Sequence, residues 1–304
     1  DLLPLLSEER RSRYGIPWPV DTTSTFEREG EPVTLGGVEI RRIAFDSPAP
    51  SGHAFNDRIH AVLYWPKEPI GCVIQLPSWK ESTLAGQSLL AMRFAKERVA
   101  VFVMPLPYQV DRAAPGVGSG RWTLSANLAR TRQAMLQGAA DVMRASLWIE
   151  RDLGIRPIRQ GVMGVSLGGH VAALAFGAYK ERFGAGAFVL TGAHVERSFM
   201  GENRTTAGVR KVLLERGVTA EEALALVGPI DPGRFAESWR RDQVLLVGAR
   251  ADDVVLPEGV RDLAAAYGGA RIEWVEGDHY GILSQLGTVI QTVLDHWKAT
   301  LGGP

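Results

Sequence analysis

The most reactive combination of residue types in the chain is Gly164-Val165-Ser166-Leu167-Gly168-Gly169, set between an apolar run and a helical pattern. A serine hydroxyl is a weak nucleophile until a base takes its proton, and a histidine base needs an acid to fix its tautomer and stabilise its charge. A G-x-S-x-G turn supplies the first part: it exposes a serine on a sharp strand-to-helix turn, with glycines where neighbouring backbone crowds in. The helix that starts there aims its positive end and free N–H groups at the same place, which suits a developing oxyanion. Such a short pattern also arises by chance as a Gly-rich turn, so the partners that follow carry the reading. Asp252 and Asp253 come directly after the apolar run 244–248. His279 follows 271–275, in Glu276-Gly277-Asp278-His279-Tyr280-Gly281. Serine, acid and histidine thus occur in that order, each at the end of a predicted strand. One aspartate, preferably Asp252, orients the histidine, and the other serves turn chemistry.

Side chains this far apart in sequence meet only if a scaffold brings strand ends together. Short β-branched runs alternate with helical patterns through most of the chain, which is the mark of a mostly parallel sheet with helices on both faces. Eight strands are expected, at 38–45, 59–65, 72–76, 99–104, 161–165, 187–191, 244–248 and 271–275. The first two are separated by a breaker-rich segment suited to an antiparallel connection. Helices are expected at 84–98, 125–152, 167–181, 257–267 and 282–297. In the second of these, Leu128, Met135, Ala139, Val142 and Met143 recur at helical spacing. The fold class is therefore α/β, an eight-stranded, mostly parallel sheet flanked by helices, built from 37–194 and 241–304. Residues 1–36, with Pro17-Trp18-Pro19, form an N-terminal extension. Residues 195–240 form a small helical cap or lid, with short helices at 209–215 and 220–227.

Composition narrows the function classes. With 304 residues, 45% apolar and 22% charged, the chain can build a large core, and disorder, collagen and coiled coil are excluded. Lys and Arg balance Asp and Glu at 34 each, so no net field attracts nucleic acid or an anionic membrane. No run reaches the roughly 18 to 20 apolar residues of a membrane span, and a cytoplasmic location is expected. Cys72, the single cysteine, sits in an apolar run and reads as a buried, inert thiol. No pair of histidines has zinc-ligand spacing with a third ligand, so no metal and no cofactor is expected. His53, His60, His170 and His296 read as structural or surface residues.

Taken together, the elbow at 164–168, the Asp252 loop and the Gly277-Asp278-His279 loop resemble the α/β-hydrolase superfamily, over about residues 38–297. The match places the acid at Asp252, three residues before Val255, with Asp253 left open. The resemblance implies a serine hydrolase forming an acyl-enzyme on a small-molecule carboxylic ester or related acyl compound, with no metal. Backbone N–H groups of Leu167 and Trp79 are then the oxyanion donors. Where many members carry His-Gly, this chain has Pro77-Ser78-Trp79-Lys80, so the Trp79 side chain is expected to narrow or line the acyl pocket, with a short-chain ester fitting best; packing under the cap is its competing role. Tyr108 and Arg112 lie at the carboxyl end of the sheet, and His194 opens the cap where it could overhang the pocket; all three are candidate substrate contacts, with an internal ion pair the competing role for Arg112 and a surface position for His194. Two rival readings are a peptidase or amidase on the same triad, and a non-catalytic binding protein on this scaffold. Nothing in the sequence indicates an oligomeric state.

Overall fold

A computed structural model of the chain describes residues 25–302. Most of the expected N-terminal extension, including Pro17-Trp18-Pro19, lies outside the described residues. All eight expected strands form, as β3 (Val38–Asp46), β4 (Arg58–Pro66), β5 (Gly71–Leu76), β6 (Val99–Val103), β7 (Gln160–Val165), β8 (Ala185–Val189), β9 (Val244–Ala249) and β10 (Arg271–Val275). Two more precede them, β1 (Glu27–Arg28) and β2 (Val33–Leu35), both pairing with β3. The end of the extension is thus part of the sheet. These strands are two and three residues long and exposed, too short for an alternating pattern to reveal.

Strand order is β1-β3-β4-β6-β5-β7-β8-β9-β10. From β6 to β10 all pairings are parallel, while β3 and β4 run antiparallel on one side. Side chains alternate between two cores, as the two-residue period of a strand requires. Cys72, Ile74, Val162, Phe188 and Leu246 enter one core with the helices Leu128–Leu153, Leu167–Ala178 and Pro257–Ala266. Val73, Met163, Ala187, Val189 and Leu245 enter the other with the helices Ala85–Ala95 and Leu286–Leu301. The long helix starts where the Asn127 side chain accepts from the Arg130 N–H and stops at Gly154, in the left-handed region at φ 69°.

Strand β8 begins and ends two residues earlier than expected, because Leu190 turns the chain with φ 50°. Between β8 and β9, the segment 195–240 holds helices Val195–Met200, Ala207–Glu215 and Ala220–Val227, the last opened by a Thr219–Glu222 capping box. Leu213, Ala223, Val227, Ile230 and Phe235 bury themselves in the first core, so this segment is anchored to the sheet domain. Among the described residues, no helix is long and apolar enough to cross a membrane.

Candidate active site

Ser166 sits between the end of β7 and the first residue of the helix Leu167–Ala178, with φ 53° and ψ −116°. A non-glycine residue in such backbone stores on the order of 1–3 kcal/mol and persists only where its surroundings hold it. They do so here from both sides. The Ser166 N–H donates to the Val189 carbonyl at 2.8 Å, and its own carbonyl accepts from the His170 N–H at 3.0 Å and from His170 Nδ1 at 2.9 Å. Two of the motif glycines are fixed by close approach. A Cβ on Gly164 would lie 2.3 Å from the Gly168 backbone, and one on Gly168 would lie 2.2 Å from the Pro77 carbonyl oxygen.

The acid and the histidine lie on the tails of adjacent strands. The N–H of Arg250 donates to Val275 and that of Ala251 to Gly277, joining the two loops. Gly277 makes its turn at φ 95°, and Asp278 Oδ1 accepts from the N–H groups of Tyr280 and Gly281. His279 Nδ1 lies 2.8 Å from Asp252 Oδ2, and His279 Nε2 lies 3.0 Å from Ser166 Oγ. Oδ1 of Asp252 accepts from the N–H groups of Val254 and Val255 at 2.8 and 2.9 Å. Asp252 and His279 are buried, whereas Asp253 is exposed. It is Asp252, not its neighbour, that faces the histidine.

Ser166, Leu167, Trp79 and His279 line one cavity of about 860 Å³. Its walls come from the helix Ala85–Ala95, the chain's last helix, the β7 and β8 ends, and residues 195–206 of the insertion. It is larger than the crowded pocket expected from the sequence. The Trp79 indole N–H donates to the Gly120 carbonyl at 2.8 Å and its ring carries the Lys80 ammonium, so the side chain is held by the neighbouring loop.

Tyr108, Arg112 and His194, the expected substrate contacts, are not among the lining residues. Positive φ at Tyr108 (62°) and Val110 (56°) turns that loop inward, and Tyr108 packs buried against His53 and Trp122. Arg112 is fully buried in an ion pair with Asp141 at 2.9 Å and also donates to Asn56 and Pro105 carbonyls. Burial pushes the Asp141 carboxyl up, with Arg112 and Ser47 pulling against it. His194 turns to the surface, where it meets Asp262 at 2.9 Å. Conversely, His170 lines the cavity. Its position four residues after Ser166 in a helix was the available signal. Burial lowers its pKa, so the ring stays neutral beside His279. Cys72 is buried with its thiol pKa raised by desolvation. Among the described residues, no three His, Cys, Asp or Glu side chains cluster to hold a metal ion.

No protein-family model and no curated protein sequence matches the chain. Solved structures do. An acetyl xylan esterase from Paenibacillus sp. R4 superposes with a TM-score of 0.68 at 15% identity, covering 95% of this chain and 92% of that one. Acetyl xylan esterase 1 from Thermoanaerobacterium sp. JW/SL YS485 gives 0.65 at 17%, covering 95% and 93%. An acylaminoacyl peptidase from Pyrococcus horikoshii gives 0.63 at 11%, covering 89% of this chain but 43% of that one. The likeness extends over nearly the whole described chain and establishes the α/β-hydrolase fold.

Proposed function

We propose that the protein is a serine hydrolase that cleaves a carboxylic ester or related acyl compound. The observation that carries this reading is the unbroken line Ser166 Oγ, His279 Nε2, His279 Nδ1, Asp252 Oδ2, with gaps of 3.0 and 2.8 Å. Ser166 Oγ attacks the substrate carbonyl while its proton passes to His279 Nε2, and the carbonyl π electrons move onto oxygen. The oxyanion is received by the N–H groups of Leu167 and Trp79, helped by the N-terminal end of the helix Leu167–Ala178. On collapse, the C–O bond to the alcohol breaks and His279 returns the proton to the leaving oxygen. Water, deprotonated by His279, then attacks the acyl-serine; the bond from Ser166 Oγ to the acyl carbon breaks, His279 returns the proton to Oγ, and the acid is released. Asp252 keeps the Nδ1–H tautomer throughout.

His170 supports this cycle from the cavity wall. Its Nδ1–H is committed to the Ser166 carbonyl, and its neutral state avoids a second cation beside the imidazolium that forms at His279. The insertion 195–240 acts as the cap, since Val195, Ser198 and Phe199 close one side of the cavity.

A fluorophosphonate probe is expected to label Ser166 and to fail on Ser166→Ala. A folded wild-type protein that does not label would leave a non-catalytic binding role instead. Turnover of p-nitrophenyl esters without cleavage of aminoacyl anilides favours the esterase over the peptidase reading; the reverse pattern would replace it.

A further inference from the structure

Exposed apolar side chains are unevenly distributed over this molecule. Leu89 and Leu283, at 76% and 69%, are the two most exposed large apolar residues among the described ones, and Leu286 is 45% exposed. All three line the cavity that holds Ser166. Single exposed leucines are ordinary on a protein surface, whereas several gathered at one place belong to a surface that is covered in use. Leu89 comes from the helix Ala85–Ala95, and Leu283 and Leu286 are three residues apart across the short turn Gly281–Gln285 and the start of the last helix. Behind them the exposure falls: Leu90, next to Leu89, and Ile290, one turn after Leu286, are half-buried and also line the cavity. The apolar wall thus continues from the open rim inward. An acetyl group would occupy a small part of about 860 Å³, a volume in the range that encloses drug-sized molecules. A rim made for small or polar esters would gain solubility from Gln or Lys at these positions without loss of helix propensity.

We propose that Leu89, Leu283 and Leu286 bind the far end of an extended hydrocarbon arm, so that the substrate class of this site is an ester with a medium or long alkyl chain. This rests on the serine-hydrolase reading of Ser166. The ester carbonyl sits at Ser166, the arm runs along Leu90 and Ile290, and its end is covered by the three rim leucines. Burial then acts on both partners, because the chain and the leucines leave water together. The exposure of the leucines in the free protein is the area that the arm covers. The arm belongs to the acyl or the alcohol side of the ester, with the same apolar chemistry at the rim.

The test measures kcat/KM, below the micelle concentration, along p-nitrophenyl alkanoates from acetate to decanoate and along alkyl acetates from methyl to octyl. In one of the two series kcat/KM is expected to rise with length by about two- to fourfold per methylene, fourfold being the contribution of a fully buried CH₂. The series that rises identifies the side. In the triple variant Leu89→Gln, Leu283→Gln, Leu286→Gln, the ratio of the longest to the shortest ester, read within each protein, is expected to fall by about tenfold or more, the loss of roughly two buried methylenes. Its Tm should equal that of wild type, because the three side chains are exposed. Leu214→Gln, at an exposed leucine outside the cavity lining, should leave the ratio at the wild-type value. A kcat/KM that is highest for the shortest ester in both series would overturn the proposal, and so would a rise with length that the triple variant keeps. A triple variant that loses Tm, or whose mass by light scattering falls below that of wild type, would place another segment of the chain or a second copy on the leucines and overturn it as well. Fluorophosphonate labelling of the same wild-type preparation separates the failures: labelled protein without the length dependence loses the hydrocarbon rim alone, and unlabelled protein loses the hydrolase reading with it.

Discussion

Replacing Asp252 by Asn changes one atom and should nearly abolish turnover, for a reason visible in the hydrogen bonds. Oδ1 of Asp252 accepts from two backbone N–H groups, those of Val254 and Val255, leaving Oδ2 to face His279 Nδ1 at 2.8 Å. In Asp252→Asn the side-chain oxygen must stay on the two backbone donors, because an NH₂ group cannot accept from them. The amide nitrogen is therefore turned toward His279. It donates, so Nδ1 must accept, and the ring proton moves to Nε2. Nε2 is the atom 3.0 Å from Ser166 Oγ, and once protonated it can no longer take the serine proton. A tautomer switch of this kind in a Ser-His-Asp triad lowers kcat by about 10⁴-fold, or roughly 5.5 kcal/mol of barrier. Stability should change little, since both backbone bonds are kept. The assay is kcat on a p-nitrophenyl ester beside a thermal melt, with Asp253→Asn as the control, expected within about twofold of wild type because its exposed side chain lies off the histidine. If Asp252→Asn keeps more than about a tenth of wild-type kcat, or if Asp253→Asn is the crippling change, the tautomer argument fails.

Two further outcomes concern stability. His296 Nε2 donates to the Gly186 carbonyl at 3.1 Å, and burial lowers its pKa from 6.5 to about 4. Between those values the unfolded chain binds a proton that the folded chain does not, so this contribution is full above pH 6.5 and falls with pH, by about 2 kcal/mol at pH 5. His296→Gln should flatten that slope in urea unfolding at about pH 8 and pH 5, and an unchanged slope would contradict it. Gly168→Ala would place a Cβ 2.2 Å from the Pro77 carbonyl oxygen and 2.9 Å from that of Leu76. A loss of at least about 2 kcal/mol is expected in denaturant unfolding, with Gly86→Ala, which meets nothing within 4 Å, as the control that should show none.

The parts of this fold legible in the sequence are those whose signal is local. All eight long strands follow from β-branched runs, and the elbow from its glycines. Segments dominated by backbone turns were not legible: Leu190 ends β8 early, and positive φ at Tyr108 and Val110 folds a loop inward that the chain order places at the sheet's ligand-binding edge. Position along a strand end predicts proximity to a site, not the direction of a side chain. Arg112 illustrates the point, because its fully buried guanidinium pairs with Asp141 on the helix Leu128–Leu153. Asp252 faces the histidine because the two residues after Asp253 supply the N–H groups that fix its other carboxylate oxygen.

The structure divides chemistry from selection. Each proposed catalytic side chain is carried on the tail of a parallel strand, and the tails are bonded to one another: Ser166 to Val189, Leu190 to Val247, Arg250 to Val275, Ala251 to Gly277. A change that moves one of these atoms must therefore move a neighbouring strand. Beside the β7 and β8 ends, the cavity walls are contributed by helices and by the insertion, with Leu89, Leu283 and Leu286 exposed among the lining residues. Side chains there can be exchanged without disturbing the strand ends. The expected consequence is a separation in kinetic effects. Substitutions at the walls should alter which ester is preferred, through its apolar fit, while substitutions at the strand tails should lower the rate for every ester alike.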